Sequence, residues 1–443
     1  MKTIKRSLLL CMAASLALFL SACGGGGGTT AAAPAAAVVS FSPSSGAVGT
    51  LLTLSGTDFT SAQSVSVGGS AAIILSQSSS SLTAMVMPGA ATGPVSVTST
   101  TGTTAVPGTF TVSATGIPAT QQGAKLVDTN ATAAKQGWSV AVSADGNTAV
   151  VGGPYDNSNV GAAWVYTRGG GAWTQQGAKL VGTGANGAAL QGDSVAVSAD
   201  GNTAVVGGPV DSSGAGAAWV YTRSGGAWTQ QGAKLVGTGA SGTANQGWSV
   251  ALSADGNTAV VGGPYDNSFT GAAWVYTRSG GVWAQQGAKL VGTGAVGAAE
   301  QGESGALSAD GNTVVVGGYG DNSYAGAAWV YTRSGGVWAQ QGAKLVGTGA
   351  VGTAFQGISV AVSADGNTAV VGGHVDNNYA GALWVYARSG GVWAQQGAKL
   401  VGTGAVGAAA QGNSVALSAD GNTAVVGGHL DNSSIGAAWV YIP

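Results

Sequence analysis

The chain has 443 residues, 45% of them hydrophobic and 7% charged, with 80 glycines and a formal net charge of −2. This apolar content excludes a disordered chain, which would combine low hydrophobicity with high net charge. The acidic balance leaves no basic patch for phosphates and excludes nucleic acid as a partner.

In chain order, Lys2, Lys5 and Arg6 precede an apolar run from Leu8 to Leu20 that is short for a membrane span, so residues 1–22 read as an export leader. Leu20-Ser21-Ala22-Cys23 resembles a bacterial lipobox. That resemblance implies cleavage before Cys23, a diacylglycerol on its thiol and attachment to a membrane through it; Gly24 in place of an aspartate implies the cell outer membrane. With Cys11 in the leader and Cys23 lipidated, neither cysteine is left for a disulfide or a thiolate metal site. Residues 23–37, rich in glycine and alanine, read as a flexible tether.

From 38 to 113 short alternating segments such as Thr53 to Leu54, Val65 to Val67 and Val95 to Val97, set between Gly, Pro and Ser, predict a small β-sandwich. Phe41-Ser42-Pro43-Ser44-Ser45-Gly46, Leu54-Ser55-Gly56-Thr57-Asp58-Phe59, Val67-Gly68-Gly69 and Phe110-Thr111-Val112 resemble the IPT/TIG immunoglobulin-like domain. The resemblance implies a spacer or interaction module of surface proteins.

The rest of the chain, 119–443, is repetitive: Asp145, Asp200, Asp255, Asp310, Asp365 and Asp420 recur every 55 residues. Each unit predicts four strands, in the first copy Ser139 to Ser143, Thr148 to Val151, Ala162 to Thr167 and Trp173 to Val181. An Ala-Asp-Gly-Asn turn joins the first two and a Gly-rich turn the last two. Four strands in a period of this length are the signature of propeller blades. The repeats are similar to FG-GAP repeats, the blades of integrin α-like propellers, with Gly152-Gly153-Pro154 where that family has Gly-Ala-Pro and Gln136-Gly137 where it has Phe-Gly. The Asp-x-Asp-x-Asp-Gly calcium loop of integrin-type blades is not found, and neither a metal nor another cofactor is expected. The fold expected is therefore all-β: an immunoglobulin-like sandwich followed by a six-bladed β-propeller. The sixth copy stops after three strands, and Gln121 to Val127 carries the sequence of the fourth, so this segment is expected to complete the last blade and close the ring; an open superhelical array or a larger ring made by dimerisation is the alternative.

Trp164 and Trp173, with their counterparts from Trp219 to Trp439, supply bulk to sheets otherwise made of alanine, glycine and valine, a packing role. Lys125, Lys179, Lys234, Lys289, Lys344 and Lys399, and Arg168 with its counterparts, read as solvated edge charges. Asp156-Asn157-Ser158 and its repeats read as Asx turns, and His374 and His429 as loop filler.

In a four-stranded meander the constant turns fall on one face and the variable loops on the other. The variable residues are Trp138, Asp193, Trp248, Glu303, Ile358 and Asn413 at the start of the first strand, and Lys135, Leu190, Asn245, Glu300, Phe355 and Ala410 just before it. Tyr155, Phe269, Tyr324 and Tyr379 join them from the loops. Aromatic rings beside carboxylates and amides suit a glycan or a protein loop. The residues thus point to a non-enzymatic, surface-anchored lipoprotein that presents a propeller for binding or adhesion. A polysaccharide lyase or glycosidase working through Asp193, Glu300 and Glu303, or a purely structural envelope protein, are the alternatives.

Overall fold

The computed structural model describes residues 37–87, 89–113, 121–128 and 130–443. The leader, Cys23 and nearly all of the tether fall outside them. From Ala37 onward the chain forms an immunoglobulin-like domain and a six-bladed β-propeller.

The first domain has eight strands: β1 (Ala37–Ser42), β2 (Ser45–Gly46), β3 (Leu51–Thr57), β4 (Ala62–Val67), β5 (Ser70–Gln77), β6 (Ser81–Met85), β7 (Gly93–Ser99) and β8 (Gly102–Val112). They join in the order β1-β3-β6-β5-β4-β7-β8-β2. The apolar residues repeat every second position, so Leu52 and Leu54 of β3, Val65 and Val67 of β4 and Val95 and Val97 of β7 face one core around Phe59, Leu82 and Phe110.

Each of blades 1 to 5 is a four-stranded antiparallel meander; in blade 1 strand a is Ser139–Val142, b Thr148–Gly153, c Ala162–Gly169 and d Ala172–Gln175. Strand d continues as an isolated bridge, Leu180 pairing with Ala163. The apolar faces of neighbouring sheets meet: Val150, Val165 and Leu180 of blade 1 enclose Trp219 together with Ala204 and Val206 of blade 2. The c-strand tryptophans Trp164, Trp219, Trp274, Trp329 and Trp384 are fully buried, which supports the packing role read from the repeat. Gly182 shows why the surrounding residues are small, since a Cβ there would sit 2.1 Å from Cδ1 of Trp219. At the hub the a–b turns are tied in series, the N–H of Ala144 donating to the carbonyl of Ala199, Ala199 to Ala254, Ala254 to Ala309, Ala309 to Ala364 and Ala364 to Ala419.

This hub is covered. Met85 and Met87, with Leu51, Ile73 and Leu75 of the immunoglobulin-like domain, form one apolar cluster with Ala199, Ala254, Ala309 and Ala364. In blades 2 to 5 the alanine of the Ala-Asp-Gly-Asn turn thus has a packing cause: a larger side chain there would push the first domain off the hub.

Closure departs from the expectation. Blade 6 has three strands, a (Ser414–Leu417), b (Ala424–Gly428) and c (Ala437–Tyr441), and residues 121–127 form no strand beside it. They lie instead on blade 1. Leu126 packs with Trp164, and Gln122 Oε1 accepts from the Arg168 guanidinium (3.3 Å) and the Trp173 indole (3.2 Å). These are the contacts that Leu180 and Gln176 make with blade 2, so the segment satisfies its apolar and polar groups on the following blade without pairing to the preceding one. No backbone bond among the described residues joins Ala419 back to Ala144, and a seam separates blades 6 and 1.

Candidate functional site

The face opposite the hub is built on backbone that is the same in every blade and side chains that are not. Lys135, Leu190, Asn245, Glu300, Phe355 and Ala410 all sit at φ between 51° and 58°, the left-handed region that costs an ordinary residue about 1–2 kcal/mol. All but Lys135 are fixed there by a hydrogen bond to the preceding blade: the N–H of Glu300 donates to the carbonyl of Phe269, and that of Phe355 to Tyr324. The b–c loops are stranger still. Asn157, Ser158 and Asn159 are consecutive left-handed residues, as are Asn267, Ser268 and Phe269, Asn322, Ser323 and Tyr324, and Asn377, Asn378 and Tyr379.

A buried aspartate holds each loop in this shape. Asp156 Oδ1 accepts from the N–H of Thr132 and Oδ2 lies 2.5 Å from Lys179 Nζ. Asp211–Lys234, Asp266–Lys289, Asp321–Lys344 and Asp376–Lys399 repeat the pair, each carboxylate almost wholly buried. Two sequence readings are corrected here. The aspartates make no Asx turn, because their backbone partners lie 24 or 25 residues away, and the lysines from Lys179 to Lys399 are counterions of a buried clamp rather than solvated edge charges. The arginines are also engaged: Arg278 Nε donates to Asn257 Oδ1, and its guanidinium lies 5.4 Å from the Trp283 ring centre. The Asx turns are in the constant hub turns instead, Asp145 Oδ1 accepting from the N–H of Asn147.

The clamped loops bring three aromatic groups to the open face. Trp138 meets Tyr155 edge-on at 5.6 Å, with Lys135 Nζ 4.0 Å from the centre of the Tyr155 ring. Trp248 and Tyr265 lie 5.5 Å apart, and Tyr265 and Phe269 5.0 Å. Phe355 stacks on Tyr319 at 5.2 Å and on Tyr324 at 5.1 Å, meets His374 edge-on at 5.4 Å, and His374 leads to Tyr379 at 6.3 Å. Trp138, Phe269, Tyr324 and Tyr379 remain exposed by about half (53%, 48%, 46% and 44%). Ile358 and Asn413 join none of these groups. Tyr265, Tyr319 and His374 are additions to the residues read from sequence, and His374 is no filler: it is half-buried between two rings, its Nδ1 has no hydrogen-bond partner, and burial first and His429 second push its pKa down.

The carboxylates stand among the rings. Burial pushes Asp193 up to about 6 against a hydrogen bond from Trp138 that lowers it. Glu303 is pushed up to about 7, chiefly by burial, with Glu300 and Asp193 adding repulsion and a hydrogen bond from Trp248 opposing. Glu300, buried and bonded to Tyr319, is raised too, again chiefly by burial. Tryptophan and acid therefore alternate around the mouth over blades 1 to 4, and Glu303 feels both Glu300 and Asp193. Among the described residues no group of three or more His, Cys, Asp or Glu could hold a metal ion.

Comparison with known families matches the IPT/TIG domain to residues 36–112, the span of the eight-stranded domain that covers the hub. A search of curated proteins finds no match to the chain. An IPT/TIG-like domain joined to a β-propeller fits a binding or structural role.

Proposed function

We propose that this chain is a bacterial outer-membrane lipoprotein, anchored through Cys23, whose propeller binds a protein or glycan ligand without catalysis, as an adhesin does. The resemblance of the repeats to FG-GAP blades supports the same reading. One observation carries it: the IPT/TIG-like domain covers the constant face, while the opposite face holds exposed aromatic rings on rigid, left-handed loops. Strained backbone that is over-determined by buried ion pairs is characteristic of ligand-holding positions. Exposed tryptophan and tyrosine supply large contact areas at little entropic cost, and such residues dominate binding surfaces. The test is a glycan array and a panel of immobilised envelope and matrix proteins, probed with wild type and with Trp138→Ala/Trp248→Ala. Retention that falls at least tenfold in the double variant supports the reading; no retention of the wild type on any surface refutes it.

A second reading is favoured by Glu303 and Asp193, whose raised carboxyls suit acid and base work near neutral pH, as in a lyase or glycosidase. Release of unsaturated or reducing sugar ends from acidic and neutral polysaccharides, lost in Glu303→Gln, would move the assignment to catalysis.

A further inference from the structure

Blades 1 and 3 carry the same aromatic pair on the open face, and the two copies differ in charge. In blade 1 the rings of Trp138 and Tyr155 lie 5.6 Å apart, and Trp138 donates a hydrogen bond to Asp193 of blade 2. The chain supplies its own cation there: Lys135 Nζ stands 4.0 Å from the centre of the Tyr155 ring and 5.7 Å from that of Trp138. Two repeats on, Trp248 and Tyr265 lie 5.5 Å apart and Trp248 donates to Glu303 of blade 4, so rings and acid stand in the same relation. The cation is missing. Asn245 takes the place of Lys135 and Glu300 that of Leu190, which leaves the second copy one positive charge poorer and one carboxylate richer. Phe269, 5.0 Å from Tyr265, adds a third ring where blade 1 has Asn159. Burial first, then the charges of Glu303 and Glu300, push the Tyr265 hydroxyl up, so both acids act on that ring. No ion pair among the described residues includes Glu300 or Glu303.

We propose that Trp248, Tyr265 and Phe269, with Glu303 and Glu300, form a site for an alkylammonium group, supplied by a lysine side chain of a protein partner. The proposal rests on the reading of this face as a binding surface and names what the surface takes. Its template is blade 1, where rings of the same spacing already hold a lysyl ammonium, an arrangement favoured because a cation is drawn to the face of an aromatic ring. In blade 3 that ammonium has to come from outside, and it meets two carboxylates instead of one. Burial and the charges of Glu300 and Asp193 disfavour the ionised form of Glu303, and a bound cation offsets both. A lysine fits better than an amino sugar. Trp248 and Tyr265 are half-buried behind the exposed Phe269, so the ammonium must be carried inward on a stem, and the four-carbon lysine stem is apolar enough to lie along the Phe269 ring. An amino sugar bears its ammonium directly on the sugar ring and has no such reach.

Isothermal titration calorimetry of the full chain in non-ionic detergent tests this with two blocked tripeptides, Gly-Lys-Gly and its norleucine analogue, at about pH 7.5, where Glu303 is largely ionised. The wild type binds the lysine peptide about tenfold or more tightly than the norleucine one. Glu303→Gln removes a carboxylate and lowers that preference, and Asn245→Lys abolishes it, because the new ammonium occupies these rings as Lys135 occupies its own. Near-UV circular dichroism unchanged from the wild type separates a filled or neutralised site from a misfolded one, and either variant alone carries the test. Equal affinity of the wild type for the two peptides overturns the proposal, and so does an undiminished preference for lysine in a folded Asn245→Lys. A glucosamine oligomer bound more tightly than the lysine peptide overturns it as well, by giving the ammonium to a glycan. A wild type retained on an array surface but indifferent to lysine overturns the ammonium site and leaves the binding reading in place, whereas one retained nowhere and indifferent to lysine overturns both.

Discussion

The two faces of the propeller come from the same 55-residue unit and have opposite fates. At the hub, alanine and an Asx turn recur without change; the four alanines of blades 2 to 5 pack under Met85 and Met87, and the first five of the six bond through their N–H to the next copy's carbonyl. On the far face the backbone recurs as faithfully, but its side chains run from Lys135 to Ala410 and from Trp138 to Asn413. Repetition of sequence therefore marks two different things. Where another surface is packed on top, the side chain is held; where only the loop shape is held, the side chain is free to vary.

The largest effect that would sharpen this contrast comes from the clamp. Asp266→Ala strands Lys289 and leaves the N–H of Ser241 without its carboxylate acceptor, and breaking a buried pair of this kind costs about 3–5 kcal/mol. Urea unfolding should show that loss. A change under about 1 kcal/mol would mean that the left-handed loop is stable without its clamp. On the other face, Met87→Asp puts a carboxylate against the hub alanines with no partner to meet it, and a loss of about 2 kcal/mol is expected. Proteolysis should then release the IPT/TIG-like domain before the blades are cut.

Both faces were legible in the sequence to the extent that repetition exposes them. Strands a to c fall within two residues of where the repeats place them, whereas strand d ends at Gln175 instead of Val181 and continues only as the Leu180 bridge; the buried tryptophans were recognisable from their recurrence, and the division into a constant and a varied face follows from meander topology alone. Three features were beyond such reading. Lys179 and Asp156 lie 23 residues apart with no local periodicity to connect them, and a lysine on an outer strand looks solvated until the b–c loop folds over it. Docking of the first domain on the hub joins two surfaces that share no motif. The seam depends on whether Gln121 to Val127 prefers the blade before it or the one after, and its apolar and polar contacts turn out to be satisfied by blade 1 alone. The aromatic groups were half legible: Tyr265 repeats Tyr155 two units on, a signal available in the sequence, whereas Tyr319 and His374 stand where other copies have proline.

Acidity separates the faces next. The hub aspartates Asp145 and Asp365 are held below the usual carboxylate range: burial raises them, but hydrogen bonds from their serine and asparagine neighbours together outweigh it. Glu303 and Asp193 on the far face are raised, to about 7 and about 6. A raised carboxyl contributes stability that is fully present below its unfolded pKa and is lost as pH climbs through the folded one. Glu303→Gln, which stays neutral, should therefore melt at the wild-type temperature near pH 4 and above it at pH 8, with the gap opening between about pH 4.5 and about 7. A lowered hub aspartate gives the opposite slope, stability lost as pH falls below the usual aspartate range, so Asp365→Asn should narrow its deficit toward the wild type on acidification. Thermal melts at a series of pH values would show both trends, and a Glu303→Gln gap that does not change with pH would remove the buried acid from the mouth.

The smallest expected effect speaks most directly to purpose. Tyr379 stands at φ 66° with its ring about half exposed, a conformation that glycine adopts at no steric cost. Tyr379→Gly should recover about 1 kcal/mol of backbone strain, less whatever contact with His374 is lost. If the chain gains stability in urea while its retention on the ligand surface falls, the tyrosine is kept at a cost for what it meets outside the molecule. If stability falls instead, its contact with His374 outweighs the strain, and the ring belongs to the packing of the loop rather than to display.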